Sequence, residues 1–214
     1  MIPDAVQPRI VLASASPRRI ELLKNLGLIF EIFPSDLDEI VEVGHTPAQV
    51  VAELAESKAL RVQSLIQTRG GEPARQDLVI IAADTIVVFE GDILGKPVDR
   101  TDAIAMLSRL EGHRHQVYTG VHILSVSAQA NNGSASAHHD VEIASVEFRS
   151  LSLSEIETYV DTKEPMDKAG SYALQGIGAF MIDKIEGSPS NIIGLPLVLT
   201  TRMLRRCGIK IMGE

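Results

Sequence analysis

The chain has 214 residues, 45% of them hydrophobic and none of them tryptophan, which suits one α/β domain with a sizeable aliphatic core. Its formal net charge of −8 argues against broad nucleic-acid or acidic-membrane binding, which need a basic surface, but leaves room for a local basic pocket. The single cysteine, Cys207, excludes an intrachain disulfide, and with no signal-peptide pattern and no apolar run of transmembrane length the expectation is a cytoplasmic protein.

Residues 10–13 form an apolar run that predicts a short buried strand. The chain then passes through Ser14 and Ser16 to Pro17. Ser16 suits an N-cap, and proline suits the first helical position, where its missing N–H costs nothing. Ile20, Leu23 and Leu26 mark one face of the helix, and Gly27 stops it. Arg18 and Arg19 fall in the first turn, where the helix dipole mildly disfavours cations. Either they are solvated, or an anion bound at the turn reverses the sign. Backbone N–H groups, two serine hydroxyls and an arginine fork together suit a phosphate.

Residues 29–33 read as a strand leading into a polar loop, 34–39, whose Asp38 and Glu39 are candidates for holding a metal or positioning water. Thr46-Pro47-Ala48-Gln49 combines an N-cap, proline at N1 and a capping-box glutamine. The helix it starts runs to about residue 67. Lys58 interrupts the apolar rhythm of Val50, Leu54 and Val62, so it sits on or beside the buried face. It either snorkels to solvent or meets an anion in a polar pocket.

The unbroken apolar run 78–83 predicts a central strand covered on both faces. It ends in Asp84-Thr85, and ligand crevices in α/β sheets lie at strand ends, so Asp84 is the leading catalytic candidate. Residues 86–89 resume β-sequence. Glu90-Gly91-Asp92 is a hairpin signal that returns the chain toward Asp84 with Lys96. Taken alone, Lys96 reads as an exposed lysine, and Gly95-Lys96-Pro97 lacks the spacing of a P-loop.

Thr101 is the expected cap of a helix with Ile104, Leu107 and Leu110 inward. Residues 115–127 and 141–149 alternate as antiparallel neighbours, with a mobile loop expected over 128–137. His113, His115, His138 and His139 lack metal-ligand spacing and read as exposed loop or strand residues. Ser152 and Glu155 form a capping box for a helix to about residue 160. The stretch 164–176 has too many turn formers for a regular element and too many apolar residues for a linker, and ordered irregular segments often carry function. A strand at 180–185, a loop or short turn at 187–191 and a last helix opened by Gly194-Leu195-Pro196 complete the chain.

Arg18, Lys58, Lys96 and Lys168 thus supply cations from four places, and Asp84 and Glu39, with Asp38 or Asp167, supply carboxylates. Cations converging beside carboxylates in an acidic chain suit a metal–polyphosphate site.

Ser14-x-Ser16-Pro17-Arg18-Arg19, Glu56-Ser57-Lys58-Ala59, Ala83-Asp84-Thr85-Ile86-Val87, Lys96-Pro97, Tyr118-Thr119-Gly120, Glu164-Pro165-x-Asp167-Lys168-Ala169-Gly170, Gln175-Gly176 and Gly194-Leu195-Pro196 follow one another in an order that resembles the Maf family of nucleoside triphosphate pyrophosphatases. The resemblance implies one domain over residues 1–214, an α/β fold with a mixed twisted sheet, flanking helices and two lobes around a central cleft, similar to inosine triphosphate pyrophosphatases. It implies hydrolysis of a nucleoside triphosphate to the monophosphate and pyrophosphate with a divalent cation, Mg²⁺ or Mn²⁺, and a homodimer. By the same resemblance Asp84 is the general base, and Arg18, Thr85 and Gln175 are specificity positions. Ser16, with Arg18, Lys58 and Lys96, contacts phosphate, Glu39 joins Asp84 as a metal candidate, and Lys168 is a further candidate. Arg18 is the arginine expected to face substrate, with Arg19 on the ordinary surface. The Asp-Lys-Ala-Gly and Gln-Gly forms resemble the dTTP/UTP branch, a nucleotide-pool house-cleaning activity. A 7-methyl-GTP pyrophosphatase and a non-catalytic nucleotide-binding regulator of cell division are the alternatives.

Overall fold

The structure is a computed structural model that describes residues 8–37, 44–69, 76–128 and 135–212. Its centre is β3 (Leu78–Phe89), twelve residues long. The apolar run 78–83 and the run 86–89 are one strand, so Asp84 and Thr85 lie in its middle and not at its end. β3 pairs in parallel with β1 (Arg9–Leu12) and antiparallel with β5 (Arg114–Val126). β1 also carries the short edge strand β2 (Glu31–Ile32), all that remains of the strand expected over 29–33. Beyond β5 come β6 (Ala135–Phe148) and β7 (Ile182–Glu186), giving the order β2-β1-β3-β5-β6-β7. β4 (Asp92–Leu94) returns along β3 through Glu90 and Gly91, whose φ values of 52° and 89° match a tight primed hairpin turn. This is a mixed seven-stranded sheet with helices on its faces, as the resemblance to the family implies.

The alternation of β3 sorts the core. Val79, Ile81 and Ala83 point to one face and pack with β1, α1 (Pro17–Lys24), Leu195 and the C-terminal helix α6 (Leu197–Arg206), where Leu199, Met203 and Leu204 are buried. Further along that face Val87 and Phe89 pack with α3 (Arg100–Leu110), α4 (Leu153–Asp161), Phe148 and Tyr172. The other face, with Leu78, Ile80, Ala82, Ile86 and Val88, is covered by α2 (Pro47–Arg69) through Val51, Leu54, Ala59 and Val62. Side chains alternate across a strand, so Asp84 faces α2 and Thr85 faces the opposite way.

Local chemistry explains the helix starts. The Thr46/Gln49 box forms: the Gln49 backbone N–H donates to Thr46 Oγ1 at 3.3 Å, and the Thr46 N–H donates to Gln49 Oε1 at 2.9 Å. The Ser152/Glu155 box forms as well. The cap of α3 is Asp99 and not Thr101, because Asp99 Oδ1 accepts the Asp102 N–H at 2.9 Å and a carboxylate at a helix N-terminus also meets the dipole. Of the loop expected over 128–137, residues 135–137 belong to β6 and 129–134 lie outside the described residues. The segment 164–181 holds three short 3₁₀ turns, Glu164–Asp167, Ala169–Ser171 and Ile177–Met181. A short helix α5 (Pro189–Ile193) occupies the expected turn.

His115 is not exposed. It points inward in phase with Val117, 2% exposed, against Phe148 and Tyr172, and its Nε2 shares a 2.8 Å hydrogen bond with the Tyr172 hydroxyl. Burial disfavours the imidazolium and lowers its pKa from 6.5 to about 4. A depressed folded-state pKa means stability that is full above pH 6.5 and is lost as the pH falls toward 4, about 3 kcal/mol in all. Denaturant midpoints measured across that window should fall more steeply for the native protein than for His115→Gln; parallel curves would contradict this origin of acid sensitivity.

Candidate active site

The site is a window in the edge of β3. β5 occupies one edge of β3 from Leu78 to Val88. On the other edge β1 reaches only to Ile81, with a last bond from Ala13 N–H to the Ile81 carbonyl at 2.8 Å, and β4 begins at Val87. Asp84 and Thr85 lie in the gap. The two elements that flank the gap also deliver the cations: β1 continues into Ser14, Ser16 and Arg18, and β4 continues into Lys96. A cleft of about 450 Å³ opens here. Ser16, Arg18, Lys58, Asp84, Thr85, Lys96, Lys168 and Gln175 all line it. Ligand crevices at strand ends thus hold in a modified form: the end that matters is that of β1.

α2 supplies Lys58 from the opposite face. Its Nζ donates to Asp84 Oδ1, and both residues are buried, at 8% and 4% exposure. Lys58 therefore does not snorkel; it meets the Asp84 carboxylate. The close approach has a backbone cause. Gly120 is the β5 partner of Asp84, and a Cβ there would lie 2.3 Å from the Val51 carbonyl oxygen of α2.

Arg19 corrects an expectation. It does not sit on the ordinary surface but lines the cleft half-buried. Its Nε donates to the Gly194 carbonyl at 2.8 Å, Nη2 to Thr85 Oγ1 at 3.1 Å and Nη1 to Ser14 Oγ at 3.4 Å. Thr85 Oγ1 lies 3.0 Å from Thr119 Oγ1, which donates to the Asn191 carbonyl at 3.0 Å. A hydroxyl has one proton, so Thr119 spends its own on Asn191 and Thr85 must donate to Thr119. Thr85 is left with acceptor capacity toward the cleft. Ser16 has extended backbone angles but makes no side-chain cap bond; its own N–H donates to Ser14 Oγ at 3.2 Å.

Across the mouth, Arg18 Nη1 lies 3.5 Å from Asp167 Oδ2, and Lys168 Nζ donates to Asp167 Oδ1 at 2.6 Å. Partial burial works to raise the Asp167 carboxyl, but the Lys168 hydrogen bond and the charges of Lys168 and Arg18 hold it below the usual carboxylate range. Lys96 and Gln175 are exposed in the cleft. Pro34, Ser35, Asp36 and Leu37, from the loop after β2, line the same cleft as the Ser14–Arg19 turn. Glu39 and Asp38 lie outside the described residues. Among the described residues no three carboxylate, histidine or cysteine groups gather as a metal cluster. No helix among them is long and apolar enough to cross a membrane.

A profile of the family described as Maf-like protein matches residues 9–207. The dTTP/UTP pyrophosphatase of Desulforamulus reducens is 46% identical over 202 residues, covering 94% of this chain and 98% of that protein. The dTTP/UTP pyrophosphatase of Hahella chejuensis is 44% identical over 206 residues, with 96% of each chain covered. That of Caldicellulosiruptor saccharolyticus is 44% identical over 207 residues, covering 96% and 98%. The matched residues 9–207 take in every segment that lines the cleft, from the Ser14 turn to Gly194, and the chain belongs to the Maf family.

Proposed function

We propose that this chain is a nucleoside triphosphate pyrophosphatase that hydrolyses dTTP and UTP to the monophosphate and pyrophosphate. It works as a single Maf-like domain over residues 1–214, as a homodimer and in the cytoplasm, where it clears the nucleotide pool. The observation that carries this reading is the convergence of Arg18, Lys58, Lys96 and Lys168 on the cleft that holds Asp84, in a chain whose net charge is −8. The names of relatives 44–46% identical to this chain support the choice of dTTP and UTP.

In this reading the triphosphate lies between the Ser14–Arg18 turn and the two lysines Lys58 and Lys96. Asp84 accepts a proton from a water whose oxygen bonds to the α-phosphorus. The bond from that phosphorus to the bridging oxygen breaks, and pyrophosphate leaves with the electron pair. Lys58 fixes the Asp84 carboxylate, and Arg18 and Lys96 neutralise phosphate charge as it develops. The exposed Gln175 amide offers a donor and an acceptor to a pyrimidine edge, and Thr85 offers an acceptor.

Asp84 is a carboxylate that a divalent cation could share with the substrate phosphates. Mg²⁺ is commonly held by one or two carboxylates plus substrate phosphates and not by an all-protein cage. Asp84, with Glu39 as its partner, would hold Mg²⁺ or Mn²⁺, and the ion would supply charge neutralisation on the phosphates.

Pyrophosphate release from a panel of dTTP, UTP, dCTP and 7-methyl-GTP tests the reading. dTTP and UTP are expected to turn over fastest, with activity lost to EDTA and restored by Mg²⁺ or Mn²⁺. In ¹⁸O-water the label should enter the monophosphate; label in pyrophosphate alone would rule out attack at the α-phosphorus.

A further inference from the structure

Gln175 is an exposed side chain on an irregular loop, and among the described residues its amide has no hydrogen-bond partner of its own. An amide that reads a base must nevertheless be held in place, or binding spends free energy on ordering it. What holds it lies behind the cleft. The Glu164 carboxylate, which is not part of the cleft lining, accepts three hydrogen bonds. Oε2 accepts the Ile177 N–H at 3.0 Å, and Oε1 accepts the Gly178 N–H at 2.9 Å and the Tyr159 hydroxyl at 3.0 Å. Two of the three are backbone groups just after Gln175. Gly176, which links Gln175 to these donors, has φ +90°, and a Cβ there would lie 2.6 Å from Glu164 Oε2, so the loop is drawn down onto the carboxylate. The Glu164 backbone carbonyl accepts from Lys168 Nζ at 2.5 Å. Glu164 thus tethers both the backbone that follows Gln175 and the Lys168 ammonium.

The electrostatics agree. Burial works to raise the Glu164 carboxyl, but the Gly178 and Ile177 N–H groups, Tyr159 and the Lys168 charge outweigh it and hold the group below the usual range. Burial and the Glu164 charge push the Tyr159 phenol well up, so it stays a donor.

Resting on the proposed pyrophosphatase activity, we propose that Glu164 is the positioning residue of the base-reading wall. It does not touch the nucleotide. It sets the place of the Gln175 amide and the Lys168 ammonium, and through them the discrimination among nucleobases.

Steady-state kinetics with dTTP and dCTP test this in wild type, Glu164→Gln, Gln175→Ala and the double variant. An amide replaces one acceptor oxygen by a donor that faces N–H groups. Glu164→Gln should therefore raise KM for dTTP and lower the dTTP-over-dCTP ratio of kcat/KM about 10-fold, with kcat changed much less. In the Gln175→Ala background the same substitution should change that ratio less than about 2-fold, because coupled residues are non-additive. Gly176→Ala displaces the loop without removing the carboxylate, so it should lower the ratio as well and serves if Glu164→Gln fails to fold. An unchanged ratio in a folded variant, or a full further fall on top of Gln175→Ala, overturns the inference. A wild-type protein inert toward every triphosphate overturns the activity and the inference together, whereas an active wild type with an unchanged ratio in the variants overturns the inference alone.

Discussion

Asp84→Asn is expected to lower kcat about 10³-fold, the usual scale for removing a general base. The amide keeps the shape of the side chain and cannot accept the proton from water. The same change removes the carboxylate that Lys58 meets beneath α2. Breaking a buried ion pair from one side costs about 3–5 kcal/mol when nothing else solvates the survivor. The Lys58 side chain borders the cleft, so water softens this to about 1–2 kcal/mol, a fall in Tm of about 2–8 °C. The double variant Lys58→Met/Asp84→Asn separates the two effects. It should recover much of the stability and none of the turnover. Near-normal kcat in Asp84→Asn at matched folded fraction would remove Asp84 from the chemistry.

Gly120→Ala is expected to be severe although it adds one methyl group. That methyl would stand 2.3 Å from the Val51 oxygen, 2.6 Å from its carbonyl carbon and 2.9 Å from the Ala52 nitrogen, all backbone atoms of α2. Backbone cannot rotate away as a side chain does, so the helix must lift. Overpacking of this kind costs about 1–3 kcal/mol or more. Because α2 carries Lys58 and Gly120 pairs with Asp84, the lift separates the ion pair at the centre of the cleft. Tm should drop by about 4–10 °C, and kcat should fall even at temperatures where the variant is fully folded. A stable variant with native turnover would show that the distance between α2 and β5 does not set the site.

The sequence makes the charges legible and leaves their arrangement obscure. Lys58 and Asp84 stand out because each breaks an apolar pattern, and a charge in such a place needs a partner. Which of Arg18 and Arg19 turns inward is not local information. It depends on Gly194 and Thr85, 175 and 66 residues away. The window in β3 is also non-local, since it exists only because β1 stops at Ile81 and β4 starts at Val87. Asp84 therefore looks like the end of a strand in sequence and lies in mid-strand in space. His115 was open to a better reading: it is in phase with Val117, Thr119 and Val121, and that alternation points it inward. Glu164 stands in an irregular segment rich in turn formers and at the head of a family motif, which marks importance without a role.

The packing of the two ends of the chain has a consequence for biosynthesis. Ile10, Leu12, Leu22 and Leu23 share one core with Leu195, Leu204, Ile209 and Ile211. The turn that carries Arg18 and Arg19 leaves the ribosome well before its apolar backing and the Gly194 carbonyl that Arg19 grips, 175 residues later in the chain. A nascent or prematurely terminated chain therefore has its leading leucines uncovered and one wall of its cleft unsupported, a condition that invites proteolysis.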